Sequence, residues 1–222
     1  MQKFDTPTPI SAVLDIPAGR VRFIAADRAD TTVEVRPASA TKRRDVKVAE
    51  QTTVDYRDGV LRIDAPAARS QYLGPSGSVE VTVRLPAGSR IEGKAAVSEF
   101  RGAGRFGDVA LEAYGTVEID EAANVWLTTY AGEVAVGRLT GPAEISTQQG
   151  DIQIGEAVSG AVVLTTQMGD VTVGAAAGVS AALDAGSGYG RVRNSLKNAV
   201  GAAAGLNIHA TTAYGDILAR SL

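Results

Sequence analysis

A short unit repeats three times between residues 127 and 183, and it constrains this chain more than any other feature. Each copy contains an aliphatic residue, then two hydroxyl residues, a glycine five places after the aliphatic one, and an alternating Val/Ile segment. The leading aliphatic residues are Leu127, Ile145 and Leu164, so the copies are 18 and 19 residues apart. A regular period near twenty residues is typical of stacked repeats, because one such unit cannot bury its apolar face alone.

The alternation within each copy predicts strands, since residues two apart in a strand share a face. Glycine between two strands supplies the backbone freedom that a tight turn needs. The predicted turn glycines are Gly132, Gly150, Gly169, Gly190 and Gly215. We therefore predict an all-β, β-solenoid-like stack of short two-strand repeats in which each coil pairs with the coil before it. Stacking in chain order would leave the final copy, residues 210–217, as an exposed edge.

The N-terminal part is less regular. Asp58-Gly59 between two alternating segments indicates a β-hairpin. We expect a more hairpin-like antiparallel β region over residues 1–90 and the β-repeat solenoid region over 91–222, joined as one continuous domain. Val46 and Val48 continue the strand pattern, and the Pro-, Gly- and Ser-rich residues 65–78 predict a loop.

Composition excludes several classes of protein. The 222 residues include no Cys, which rules out disulfides and thiolate chemistry, and only 5% are aromatic, which fits thin regular cores. The first residues show no apolar run typical of a signal peptide, and no segment reaches the roughly 18 apolar residues of a spanning helix. We expect a cytoplasmic protein without direct membrane insertion.

Charge is distributed unevenly along the chain. Residues 1–106 carry a net charge of +4 and residues 107–222 one of −7. This asymmetry suggests self-association through the solenoid ends, but solvated charge on longer N-terminal loops is the simpler explanation. The basic run Lys42-Arg43-Arg44 lacks interleaved aromatic residues, so we expect no nucleic-acid partner.

Four glycine-centred phrases resemble a known family. They are Ser146-Thr147-x-x-Gly150-Asp151-Ile152, Thr165-Thr166-x-x-Gly169-Asp170-Val171, Ser187-Gly188-Tyr189-Gly190 and Tyr214-Gly215-Asp216-Ile217. Together they resemble the putative-adhesin, or Toastrack, family of bacterial β-strand-repeat proteins. The resemblance covers about residues 10–222. It implies adhesion or a link to bacterial membrane and envelope stress regulation, and it implies no catalytic residues.

Ionisable residues offer little catalytic chemistry. His209 is the only histidine and lies in a strand-like segment, which favours a solvent-facing strand residue over a catalytic triad or a zinc ligand. We expect no enzyme, no catalytic residue, no cofactor and no metal. Glu133, Asp151 and Asp170 share one repeat position and would lie about 4.8 Å apart in stacked coils. Such an acidic row suits either Ca²⁺ or hydrogen bonds within the turns.

Tyrosines near the turn glycines predict the best candidate contact surface. Tyr114, Tyr189 and Tyr214 each directly precede a glycine, and Tyr130 lies one place earlier in its copy. They form either an exposed aromatic strip or a cover over the end of the core. The leading hypothesis is a non-enzymatic scaffold that binds a protein partner. The alternatives are a self-assembling polymer resembling bactofilin and a carbohydrate-binding β-helix.

Overall fold

The structure is a computed structural model that describes residues 1–66, 77–97, 99–197 and 204–222. These residues contain 19 strands and one helix. The chain divides into two compact units, Met1–Gly115 and Thr116–Leu222. The all-β class and the solenoid-like stack are confirmed, while most of the predicted loop over 65–78 lies outside the described residues. The predicted boundary at residue 90 between the hairpin-like region and the repeat region falls inside the first unit. That the two regions form one continuous domain stays a prediction.

The first unit has nine strands and the helix. They are β1 (Gln2–Asp5), β2 (Ser11–Ile16), β3 (Gly19–Ala26), β4 (Asp30–Pro37), α1 (Arg43–Gln51), β5 (Thr53–Arg57), β6 (Val60–Asp64), β7 (Val79–Pro86), β8 (Arg90–Ala95) and β9 (Glu99–Ala113). Parallel pairing places β2 between β6 and β8, and β3 between β7 and β9. The N-terminal coil β2/β3 is therefore inserted between coils formed by later residues.

Antiparallel strands extend this parallel stack. β5 and β6 form the predicted hairpin, where Asp58 and Gly59 have φ angles of 50° and 78°. Both values suit a two-residue hairpin turn. β4 pairs antiparallel with β7, and β1 pairs antiparallel with β4. The hairpin-like antiparallel part is thus present, and it flanks parallel coils that the N-terminal sequence did not predict.

Large aromatic side chains fill the core of the first unit. The rings of Phe23 and Phe100 lie 5.8 Å apart between their centroids, and both side chains are fully buried. Phe23 faces Gly102 on the neighbouring strand, which leaves room for the ring. The missing side chain of Gly102 thus offsets the volume of the Phe23 ring, as close packing requires.

The interpretation of Val46 and Val48 as part of a strand is wrong, because both residues lie in α1. Two alternating residues are too few to distinguish a strand period from a helix period. Within the first turn of α1, the buried Asp45 carboxylate accepts a hydrogen bond of 3.0 Å from the backbone N–H of Ser78. That contact ties the helix to the chain just before β7.

The second unit has ten strands, all paired in parallel in the described residues. They are β10 (Thr116–Ala131), β11 (Val134–Leu139), β12 (Ala143–Gln149), β13 (Ile152–Ala157), β14 (Gly160–Met168), β15 (Val171–Ala175), β16 (Ala181–Tyr189), β17 (Val192–Ser195), β18 (Leu206–Tyr214) and β19 (Ile217–Ser221). Leu127 pairs with Ile145 and Ile145 with Leu164, which confirms the predicted register of the three best copies. Their side chains are buried in the core of the unit.

The last coil does not stack in chain order, and the prediction that it forms the exposed edge is wrong. β18 pairs with β14 on one side and β16 on the other, and β19 lies likewise between β15 and β17. The inward side chains of β18, including Ile208 and Ala210, are fully buried, whereas Leu183 and Ala185 of β16 are half-buried. The more apolar strand therefore occupies the interior position, and coil β16/β17 becomes the outermost coil.

Candidate contact surface

One set of turns in the second unit forms a column of glycines. Its order in space is Gly132, Gly150, Gly169, Gly215 and Gly190, which differs from chain order at the last two positions. The backbone N–H of Gly150 donates to the carbonyl of Met168 at 2.8 Å, and Gly169 donates to Tyr214 at 2.9 Å. A Cβ added to Gly169 would lie 2.1 Å from the carbonyl oxygen of Gly150, so the coils approach too closely for any side chain. Gly190 lies in a bend without a positive φ.

The acidic row is also a column across coils. Asp151 accepts a hydrogen bond from the backbone N–H of Asp170 at 2.7 Å, and Asp170 accepts one from Asp216 at the same distance. Sequence reasoning missed Asp216 as a member of this row. In the chain its coil comes last, after the coil of Arg191, but in space Asp216 lies next to Asp170. Each of these bonds joins one coil to the next rather than closing its own turn.

Arg191 terminates the row at the outermost coil. Asp216 accepts three hydrogen bonds from it: from the backbone N–H at 2.9 Å, from Nε at 3.2 Å and from Nη2 at 2.9 Å. These bonds lower the pKa of Asp216, the backbone bond contributing most. Among the residues that the structure describes, no cluster of three or more His, Cys, Asp or Glu side chains could hold a metal ion. The hydrogen bonds that Asp151, Asp170 and Asp216 accept each link one coil to the next.

A buried hydroxyl column lies beside the glycines. Thr166 donates to the carbonyl of Gly150 at 3.1 Å and Thr212 to that of Gly169 at 3.0 Å. Ser187 makes the same bond to Gly215 at 2.8 Å. The hydroxyl of Thr147 is buried and has no hydrogen-bond partner in the described residues. The sequence shows a second hydroxyl residue in each repeat. Only the stacking of the coils shows which glycine carbonyl that hydroxyl bonds.

Two of the four predicted tyrosines lie in one column. Tyr189 pairs with Tyr214, and their rings are stacked with centroids 5.0 Å apart and planes only 4° from parallel. Tyr130 is half exposed in the second unit but precedes its glycine by two residues, which places it in a different column. Tyr114 belongs to the first unit, where it lines a separate cavity of about 400 Å³.

Met168 continues the tyrosine column, since its register partner is Tyr214. We call Met168, Tyr214 and Tyr189 the apolar ridge. Their exposed fractions are 49%, 57% and 73%, which rise toward the outermost coil. Aligning the repeats on their turn glycines would have identified Met168, because it directly precedes Gly169 just as Tyr189 and Tyr214 directly precede their glycines.

His209 lies on the outer face of β18, where its Nδ1 is 3.0 Å from Oδ2 of Asp184 on β16. Both side chains are exposed. This exposed pair links the inserted coil to the outermost one and is not enclosed in a cavity.

Parallel coils joined by glycine, hydroxyl and carboxylate columns define a β-solenoid repeat protein with an exposed apolar ridge. The family profile of Toastrack DUF4097 matches residues 13–221, and the chain belongs to that family. No curated protein sequence matches the chain.

Crystal structures of three bacterial proteins are similar. A putative adhesin from Bacteroides fragilis is 12% identical with a TM-score of 0.56, over 98% of this chain and 95% of that one. A putative cell adhesion protein from Clostridium sporogenes is 12% identical with a TM-score of 0.46, over 100% and 98%. A putative lipid binding protein from Parabacteroides distasonis is 9% identical with a TM-score of 0.48, over 98% and 95%. The likeness to the first of these shows the fold.

The single helix of the described residues, α1, is far too short and polar to cross a membrane, and none of those residues forms a spanning helix.

Proposed function

We propose that this chain is a non-enzymatic scaffold that binds a protein partner through the apolar ridge and the adjoining edge of β16. The supporting observation is the position of Tyr189, which is 73% exposed on the outermost coil. Tyr214 covers one face of its ring, so the other face is available to a ligand. Exposed aromatic and thioether side chains in one column are typical of contact surfaces.

The backbone of β16 supports the same proposal. In the described residues β16 pairs with β18 and β17 with β19, so each has a neighbour on one side. An unpaired strand edge accepts an added strand from another chain, and main-chain hydrogen bonds then supply affinity. The partner that fits is an extended peptide segment with an apolar or aromatic side chain that stacks on Tyr189.

The experiment compares Tyr189→Ala with Tyr130→Ala. Tyr130 is exposed in the same unit but lies outside the apolar ridge. A partner recovered from the host by affinity purification is produced in pure form, and its affinity for each variant is measured by surface plasmon resonance. We expect at least tenfold weaker binding for Tyr189→Ala and unchanged binding for Tyr130→Ala. Equal affinities for the wild type and Tyr189→Ala would refute the ridge as the contact surface.

Self-assembly is the second candidate, because the same open edge of β16 could receive a second copy of the chain. Sedimentation velocity between about 1 and 100 µM distinguishes the two: a concentration-dependent rise in mass that Tyr189→Ala abolishes supports assembly, and a constant monomer mass supports the partner. For the carbohydrate-binding alternative, a glycan array with no hits would exclude it.

Cytoplasmic location and a link to envelope stress or adhesion both stay predictions. Fractionation of host cells tests the first, and the identity of the purified partner tests the second.

A further inference from the structure

The end of the second unit that strands β17 and β19 form is basic, although the unit as a whole is acidic. Residues 116–222 include ten acidic but only five basic residues. Four of those five lie in or directly beside β17 and β19: Arg191, Arg193, Lys197 and Arg220. Arg220 is more than 20 residues from the others in the chain and joins them only because β19 pairs with β17.

The register places two of these cations on the outer side of the sheet. Arg193 pairs with Leu218, and Ser195 pairs with Arg220. The alternate positions of β19 are buried, so Arg193 and Arg220 both face outward. Side chains at such diagonal positions on one face are within reach of the same ligand. Strands β15, β17 and β19 contain no Asp or Glu.

Two carboxylates of the adjoining coils already have partners. Asp216, directly before β19, binds Arg191 at 2.9 Å. The pKa of Asp216 is lowered first by the backbone N–H of Arg191 and further by the charge of Arg193, so both arginines lie near this one carboxylate. Glu156 on β13 binds Arg138 at 3.0 Å. Positive charge therefore exceeds negative charge beside β17.

Strand β17 is also an edge of the stack. Within the part of the chain that the structure describes, its backbone pairs with β19 alone, so its other side can receive a strand. Charged side chains on an edge disfavour strands of like charge and favour those of opposite charge. A second copy joined through the same edge would bring its own Arg193 and Lys197 against this one, and the like charges would repel.

We propose that the segment that adds to β17 is an acidic extended peptide whose carboxylates contact Arg193, Lys197 and Arg220. The inference rests on the proposed function, because it describes the part of the same partner that continues past the apolar ridge. Asp184 is exposed on β16 and would repel a carboxylate there, so the acidic residues belong to the part that faces β17. In a segment that adds in parallel, the residue opposite Arg193 follows the one opposite Tyr189 by four positions.

The experiment selects random peptides of about 12 residues, displayed on phage, against the full chain. We expect the selected peptides to combine an aromatic residue with Asp or Glu near the spacing given above. Fluorescence polarisation then measures the affinity of a selected synthetic peptide for Arg193→Glu and for Arg138→Glu, a matched charge reversal on β11 of the same unit. At low salt we expect about tenfold weaker binding by Arg193→Glu and nearly unchanged binding by Arg138→Glu, and added salt should reduce the difference.

Tyr189→Ala separates this proposal from the apolar ridge. Selection against Tyr189→Ala should keep the acidic residues and lose the aromatic ones, and selection against Arg193→Glu should do the reverse. Peptides without acidic enrichment, or an equal loss of affinity in Arg193→Glu and Arg138→Glu, overturn the acidic segment, while a retained aromatic residue leaves the ridge standing. A selection that yields no binding peptide also overturns the acidic segment, and the purified host partner still tests the ridge.

Discussion

The second unit turns at a column of five glycines, whereas the first unit turns at Gly19 in its inserted coil. Antiparallel strands extend the parallel coils of the first unit, which also contains the helix α1. Both units nevertheless bury one terminal coil of the chain between two others. In the first unit this is β2/β3, and in the second it is β18/β19.

The comparison shows that parallel coils do not require a repeated sequence. The second unit fills its core with small aliphatic residues and bonds its coils through threonine and aspartate columns. The first unit instead packs Phe23 against Phe100 and compensates with Gly102. Close backbone approach between coils is common to both: a Cβ on Gly19 would lie 1.9 Å from the carbonyl oxygen of Val79.

The largest expected effect tests that common feature. Gly169→Ala and Gly19→Ala should each lower the free energy of unfolding by about 3 kcal/mol or more, because positive φ and a backbone clash act together. Their φ angles are 153° and 143°. Urea denaturation measures the loss, and similar values would show that both units depend on the same coil spacing.

Two other glycines separate the contributions to that loss. Gly178 has a φ of 78° but nothing within 4 Å of an added Cβ, so Gly178→Ala should cost about 1 kcal/mol from backbone strain alone. Gly186 has neither constraint, and Gly186→Ala should leave stability unchanged. A loss in Gly169→Ala no larger than in Gly178→Ala would contradict the close approach of the coils.

The next effect concerns buried hydroxyls in both units. Thr166→Val should destabilise by about 1–2 kcal/mol, since it leaves the Gly150 carbonyl without that donor. Thr147→Val and, in the first unit, Thr32→Val should cause no loss or a small gain, because both hydroxyls are buried without a partner in the described residues. Thermal unfolding of the three variants measures this. Equal losses in Thr166→Val and Thr147→Val would be inconsistent with the assigned bonds.

The smallest effect is electrostatic and compares Asp216 with Asp30. The pKa of Asp216 is lowered mainly by the backbone N–H of Arg191, and that of Asp30 mainly by a hydrogen bond from Arg28. A lowered pKa in the folded state stabilises the fold above the unfolded value of about 3.9, and that stabilisation is lost as the pH falls through the folded pKa. Asp216→Asn and Asp30→Asn should therefore each flatten the fall in stability below about pH 4.

Denaturant titrations at several pH values check this prediction. Asp151→Asn, in a neighbouring coil of the second unit, serves as the comparison for general charge removal. If the pH dependence of stability is the same in Asp216→Asn and the wild type, then Arg191 does not stabilise the Asp216 carboxylate as we expect.

Much of the second unit could be predicted from its sequence. The 18- and 19-residue spacing predicted which residues share a register, and Leu127, Ile145 and Leu164 are indeed neighbours. The position of strand β18 between β14 and β16 could not be predicted, because a repeat defines the shape of a coil but not its place in the stack. The same limit hid Asp216 as the neighbour of Asp170 in the acidic row.

The first unit was predictable only where a local signal existed. Asp58-Gly59 predicted its hairpin, since those two residues tolerate positive φ. Val46 and Val48 misled, because a two-residue alternation carries too little periodicity to exclude a helix. The parallel pairing of β3 with β9 joins residues almost 80 positions apart in the chain, such as Arg22 and Arg101, and no local sequence signal marks it.

By itself, the sequence determined that this chain forms short strands with buried aliphatic faces, glycine turns and a repeating register. These properties depend on the side chains within one coil. The tertiary structure alone decided which coil lies next to which, because any coil offers the same backbone hydrogen bonds. Strand β18 lies in the interior of the stack because burial of its apolar side chains is favourable. This leaves β16, and with it Tyr189, on the outermost coil.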